Sequence, residues 1–188
     1  MKSFIQIYDN ILSPIFIDKI ESILLKSGRS FPYYFSDNLT TLTSTKSRPG
    51  VFHGFLQRKY EIQSDYYHFI LKILYDFAYS QNLIVNEVYN IRSFLEFPSP
   101  NPGTDFPPHV DLEDQNGKVM PHWVLLYYVN DAEGDTIFYK DDKTTEIKRV
   151  SPKRGRIAFF DGSIYHCGSR SENTSRSVIN FNFIGEKI

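Results

Sequence analysis

Cysteine is nearly absent: Cys167 stands alone in 188 residues. That excludes an internal disulfide framework and any zinc site built from cysteines only. A charge surplus is missing as well, with 21 basic and 22 acidic residues giving a formal net charge of -1. A protein held to nucleic acid through phosphates carries a basic excess, so that partner is disfavoured. No apolar run approaches the ~20 residues of a membrane helix, so no membrane partner is expected. The opening MKSFIQIYDN lacks the basic-then-apolar start of a secretory signal. The expected location is cytoplasmic. No internal repeat or low-complexity segment is found, and the length suits a single domain, 1–188.

Aromatics, in contrast, are plentiful. Sixteen Phe and 13 Tyr promise a large core of bulky, rigid side chains. With 41% hydrophobic and 23% charged residues, the chain is globular, neither disordered nor fibrous.

The pattern changes once, near residue 82. Residues 1–82 read as a helical support layer and 83–188 as a β core. SFIQIY at 3–8 alternates like a first strand. Ser13-Pro14 reads as a helix cap followed by a first-turn proline, with Ile17, Ile20, Ile23 and Leu24 at helical spacing and Gly28 as the stop. Residues 30–60 look irregular, with a Ser/Thr-rich stretch at 40–47 and Pro49-Gly50. A loop of that length is usually a lid or a mobile segment. A second helix is expected over 62–79, with Tyr66, Phe69, Ile70, Ile73, Leu74 and Phe77 on one face. Strands are expected at 84–97, 108–112, 122–129, 135–140, 145–150, 156–160, 164–168 and 176–184. They are separated by turn sequences such as Pro100-Asn101-Pro102-Gly103, Asn116-Gly117 and Asp161-Gly162. Eight short strands in about a hundred residues suggest a sandwich or jelly roll.

The chemistry concentrates in Pro108-His109-Val110-Asp111. Residues i and i+2 of a strand share a face, so His109 and Asp111 can converge on one point. His166 follows in FFDGSIYHCG, and late and early strands of a jelly roll can be neighbours. Two imidazoles and one carboxylate on one side of a metal are the facial triad of non-haem Fe(II) oxygenases. Three coordination positions remain open, enough for a bidentate 2-oxo acid and O2. The co-substrate's other carboxylate then needs a cation. Arg176 offers a planar fork suited to it. Arg176 opens an alternating strand in which Arg176, Val178, Asn180 and Asn182 share one face. Ser177, Ile179, Phe181 and Phe183 share the other.

Taken together, 84–184 resembles the 2-oxoglutarate/Fe(II) dioxygenase superfamily, in its prolyl 4-hydroxylase-like branch. The matching pieces are His109-Val-Asp111, Leu-Leu-Tyr-Tyr-Val-Asn at 125–130, Glu-Gly-Asp-Thr at 133–136, Pro152 to Asp161, His166 and Arg176. The opening, Ile7 to Ser13, resembles the N-terminus common in that branch. The resemblance implies a mainly β fold with flanking helices, a double-stranded β-helix (jelly roll, cupin-like) with an N-terminal helical layer. It implies that His109, Asp111 and His166 ligate iron and that Arg176 binds the distal carboxylate of 2-oxoglutarate. Tyr127 would add a hydroxyl to the co-substrate, and Asn180 shares that lining. Fe(II), 2-oxoglutarate and O2 are the implied cofactors, with ascorbate as an accessory. The sequence departs from the family in two places. A Gly-Gly pair often stands where Glu133-Gly134 precedes Asp135-Thr136. A co-substrate-binding Tyr often ends the strand that, by spacing, Phe97 ends here. Related halogenases replace the carboxylate with a small residue, so an intact Asp111 favours hydroxylation.

Other residues have plainer readings. His68 falls in a helix and His122 at a strand start. His53, near Arg48 and Arg58, could reach a substrate. Cys167 reads as a small buried filler facing away from the metal. The basic run from Lys148 to Arg156 reads as a solvated hairpin, the other reading being a docking site for an acidic partner. The spacing of Arg170 and Arg176 matches that of nucleic-acid demethylases, but begins too close to His166. The expected activity is therefore hydroxylation of an unactivated C–H bond, foremost of a peptidyl residue such as proline. A free amino acid or small metabolite is the near rival. A nucleic-acid demethylase and a noncatalytic jelly-roll binding module are the readings from other classes. Oligomeric state is left open.

Overall fold

The computed structural model describes residues 4–26, 28, 30–37, 39, 50–98 and 106–187. The chain begins with strand β1 (Ile5–Tyr8), which enters helix α1 (Pro14–Glu21). Ser13 caps α1: its hydroxyl accepts from the Phe16 N–H, and Pro14 sits where no intrahelical N–H is needed. The helix ends in a π-helical turn over Ser22–Lys26. Strands β2 (Tyr34–Ser36), β3 (Gly50–Gln57) and β4 (Glu61–Ile62) lead to helix α2 (Tyr67–Ser80). Then follow β5 (Leu83–Glu96), β6 (Trp123–Tyr128), β7 (Thr136–Tyr139), β8 (Glu146–Val150), β9 (Ile157–Asp161), β10 (Tyr165–Gly168) and β11 (Arg176–Lys187).

Two antiparallel sheets result. The large one runs β1-β9-β6-β11-β5-β3-β2, with β4 paired to β3; the small one runs β10-β7-β8. This is the jelly roll expected from the sequence. The first 82 residues are more than a helical layer, because β1 to β4 all join the large sheet. The 30–60 segment holds the eight-residue strand β3, buried over most of its length. Its composition hid this, since Gly50, His53 and Gly54 interrupt the apolar pattern. The Ser/Thr-rich stretch, Arg48, Pro49 and the Pro100–Gly103 turn lie outside the described residues. Helix α2 starts at Tyr67, later than expected, because Glu61 and Ile62 are taken by the pairing with β3.

Each face of the large sheet carries its own core. On one face α1 and α2 deliver Ile20, Leu24, Ile70, Ile73, Leu74 and Phe77 onto Leu125, Tyr127, Phe159, Ile179, Phe181 and Phe183. On the other, Val124, Leu126, Tyr128, Phe160 and Val178 meet Phe138 and Val150 of the small sheet. Strict alternation along β6 and β11 divides the residues between these cores. Full burial of each Phe or Leu contributes ~1.5–3 kcal/mol, so the helical face anchors the platform on which the opposite face builds a cavity.

The basic run is stapled to the N-terminal segment. Arg156 reaches Asp9 through two guanidinium nitrogens at 2.9 and 3.0 Å. Arg154 pairs with Asp18 and with Glu21, Lys153 with Asp9, and Lys148 donates to the Ile5 carbonyl. Gly155 makes this approach possible: its φ is +79°, and a Cβ there would sit 2.7 Å from Ile17 Cδ1.

Candidate metal centre and cavity

His109 is held by an isolated antiparallel bridge to His166. The two residues exchange backbone hydrogen bonds of 3.0 and 2.9 Å, so one local pairing sets both imidazoles side by side. The expected strand at 108–112 is therefore only this bridge; Pro107 and Pro108 withhold the N–H groups a longer ladder needs. Each ring turns Nδ1 toward the carbonyl two residues upstream, His109 to Pro107 at 3.3 Å and His166 to Ile164 at 3.0 Å. An N–H at Nδ1 satisfies that carbonyl and leaves the Nε2 lone pair free.

Both Nε2 atoms face Asp111 Oδ1, at 3.9 Å from His109 and 3.8 Å from His166. The ligand atoms of the three residues lie within 4.8 Å of one another. The second oxygen, Oδ2, accepts from the side-chain amides of Asn180 at 3.0 Å and Asn182 at 2.8 Å. Burial works against the charged carboxylate, but the positive charge that the His166 and His109 imidazoles carry when protonated, the Asn180 amide and Arg92 outweigh it. The carboxyl is held far below the usual carboxylate range. Two free imidazole lone pairs and one free carboxylate oxygen converging from two sheets form a donor set suited to a divalent first-row metal.

A cavity of about 130 Å³ opens from this trio between the sheets. At its far end Arg176, 3% exposed, donates to Glu96 Oε1 at 3.1 Å and to Thr136 Oγ1 at 2.8 Å. The Tyr128 hydroxyl donates to the same Thr136 oxygen at 2.7 Å. Arg176 and Glu96 are direct cross-strand partners of β11 and β5.

Several expected site residues are placed differently. Tyr127 points to the helical side of β6, and its buried hydroxyl has no hydrogen-bond partner among the described residues; burial pushes its phenol up. Tyr128 is the tyrosine at the cavity end. The position expected for Phe97 belongs to Glu96: Phe97 is 59% exposed, while Glu96 lines the cavity. The Asn180 amide is engaged with Asp111. His53 does not reach the cavity; it packs between Phe31 and Phe55, with Nδ1 against the Pro32 carbonyl at 2.6 Å, and burial pulls its pKa down. His122 is likewise tied locally, to Met120 O at 2.6 Å. Cys167 is buried with Sγ beside the Tyr139 hydroxyl. Sequence reasoning missed Glu96, Thr136, Arg92 and the role of Asn182. Asn182 left a signal as a polar residue in phase with Arg176 and Asn180, and Thr136 stood in the matched piece at 133–136 without a role assigned.

The sequence model of the 2OG-Fe(II) oxygenase superfamily matches residues 93–184, the stretch that carries the trio, the cavity and Arg176. By sequence, residues 93–184 belong to that superfamily. A search of curated proteins found no match. Among solved structures, the oxygenase is similar to the viral collagen prolyl hydroxylase of Paramecium Bursaria Chlorella virus-1 in its 2OG complex, at 16% identity and a TM-score of 0.60, covering 100% of this chain and 98% of that one. A Trichoplax adhaerens prolyl hydroxylase, solved with a hypoxia inducible factor peptide fragment, is 12% identical with a TM-score of 0.65, over 95% and 83% of the two chains. A Pseudomonas putida prolyl-4-hydroxylase is 12% identical with a TM-score of 0.64, over 97% and 93%. At these identities the likenesses establish a shared fold. No described helix of the oxygenase is long and apolar enough to cross a membrane.

Proposed function

We propose that the oxygenase is an Fe(II)- and 2-oxoglutarate-dependent hydroxylase of a peptidyl residue, proline foremost. The observation that carries this reading is the convergence of His109, Asp111 and His166. The donor set fits Fe(II): each imidazole already commits Nδ1 to a carbonyl, and Asp111 commits only one oxygen to amides. When bound, Fe(II) with 2-oxoglutarate and O2 supplies the oxidising chemistry, turning the 2-oxo acid into succinate and CO2 while one oxygen atom enters the C–H bond. The chain's share is to hold and orient. His109, Asp111 and His166 would bind the metal. Asn180 and Asn182 fix the Asp111 carboxylate in one plane. Arg176, oriented by Thr136 and Tyr128, would receive the distal carboxylate. Val178, Leu126 and Phe94 give the cavity apolar walls that keep water out. Ascorbate would serve as an accessory reductant. The prolyl substrate is supported by the fold shared with three prolyl hydroxylases. A basic nucleic-acid surface is not favoured, because Arg154, Arg156, Lys148 and Lys153 are spent on the N-terminal segment.

The test is an anaerobic titration of the Fe(II)-loaded protein with 2-oxoglutarate, following the visible charge-transfer band of the chelate. The band should appear in the wild type, vanish in His109→Ala and require far more co-substrate in Arg176→Ala. Its absence from the wild type at saturating iron and co-substrate would leave a binding module. Mass spectrometry of proline-containing peptides beside free amino acids then separates the peptidyl reading from the small-metabolite one.

A further inference from the structure

Among the described residues, four side chains of full charge line the cavity: Arg92, Glu96, Asp111 and Arg176. Three of them have counterparts. Arg176 and Glu96 answer each other. Asp111 accepts from two amides with one oxygen and faces two imidazoles with the other. Arg92 has none. It makes no ion pair and donates no side-chain hydrogen bond among the described residues; its Nε is buried without a partner, and its guanidinium lies over the Phe94 ring at 5.5 Å. Its depth in the fold pulls its pKa down, and only Asp111 opposes this.

A half-buried cation whose only opposing charge, Asp111, is not in contact with it is costly. It persists where a ligand supplies the missing charge. The register says which end of the cavity that ligand occupies. Arg92 stands opposite Asn180, the residue that holds Asp111, whereas Glu96 stands opposite Arg176. The two positions are four residues apart along β5, about 13 Å of strand. Charge balance agrees. The two arginines cancel the two carboxylates. A divalent ion then leaves two positive charges, and a 2-oxo diacid brings two negative ones.

We propose that Arg92 is a second carboxylate anchor, binding the carboxylate of the 2-oxo acid at the metal end of the cavity. This rests on the reading given under Proposed function. Arg92 gives the site a guanidinium for each end of the co-substrate, one beside the metal trio and one beside Thr136.

Calorimetric titration of the Mn(II)-loaded protein without turnover tests it, with wild type, Arg92→Met and Arg92→Lys and two probes. The probes are 2-oxoglutarate and 2-oxopentanoate, which lacks the distal carboxylate. Arg92→Met should bind both probes at least tenfold more weakly than wild type, and Arg92→Lys should lose less. Metal-free Arg92→Met should melt no lower than wild type, since it removes a half-buried guanidinium that makes no ion pair or side-chain hydrogen bond among the described residues. Binding of both probes by Arg92→Met within twofold of wild type overturns the proposal. So does weakening confined to 2-oxoglutarate, which would assign Arg92 to the distal carboxylate. A melting temperature well below wild type would make Arg92 a structural residue. If the wild type binds no 2-oxoglutarate while Mn(II) is bound, the co-substrate reading itself fails, and this proposal with it.

Discussion

The two oxygens of Asp111 have different tasks. One faces the imidazoles, and the other is gripped by Asn180 and Asn182 at 3.0 and 2.8 Å. Hydrogen bonds to a charged group are worth ~1.5–3 kcal/mol, and losing a partner that orients a metal ligand typically costs 10–100-fold in affinity. Asn182→Leu should therefore weaken Mn(II) binding about tenfold or more while the fold persists, as read by electron paramagnetic resonance titration. An unchanged affinity would show that Asn180 alone suffices. At this scale the sequence was legible where chemistry demands a residue type. His109, Asp111, His166 and Arg176, expected from their chemistry, all lie at the cavity. It was not legible where a choice depends on register. Trp123-Val-Leu-Leu-Tyr-Tyr is apolar on both faces, so nothing in it distinguishes Tyr127 from Tyr128. The pairing of Tyr128 with Val178 decides. Glu96 was hidden for the same reason, one position from Phe97.

Elements are joined by ion pairs whose partners are far apart in sequence. The bidentate Asp9–Arg156 pair ties the end of β1 to the start of β9. Hydrogen bonding to Arg156 holds the Asp9 carboxyl below its ordinary value, against a smaller opposing effect of burial. In the unfolded chain the group takes up its proton nearer pH 4. Its stabilisation is thus present at neutral pH and is lost as pH falls from about 4 through the depressed native value. Asp9→Asn should cost ~1 kcal/mol at pH 7, and the gap to wild type should narrow as pH falls below about 4, read as melting temperatures across that range. A gap that stays constant down the acid range would assign the loss to packing. Boundaries of β5 to β11 were readable to within a residue or two at most ends, because turn residues punctuate them. β3 was not: its glycines read as loop, and its pairings with β5, β2 and β4 make it a strand.

Over the whole molecule, the proposed metal centre couples metal binding to folding. The three proposed ligands come from the segment before β6 and from β10, so only the folded chain presents them together. A ligand that binds only the folded state adds ~2.7 kcal/mol at a concentration 100-fold above its Kd. For a chain of this size that is roughly 5–10 °C in Tm. Mn(II) should raise Tm by this amount, reversibly with chelator, and His166→Ala should abolish the shift. A shift that survives His166→Ala would place the metal elsewhere. The jelly roll itself was legible from many short strands with turn signals. The share of the sheet built by residues 1–82 was not, since two-strand pairings across half the chain leave no local pattern.

Strand β11 serves both sides of the sheet at once, with Arg176, Val178, Asn180 and Asn182 toward the cavity and Ile179, Phe181 and Phe183 toward the helices. Its bulges against β5 begin only after Asn182. Losing or gaining one residue before that point would exchange the two faces, burying asparagines among the helices and thrusting phenylalanines into the cavity. Point changes in alternate positions are independent of one another, whereas changes in length are fatal to both faces together. The cavity can therefore be reshaped by substitution along this strand, whereas added residues are accommodated in the connections between strands.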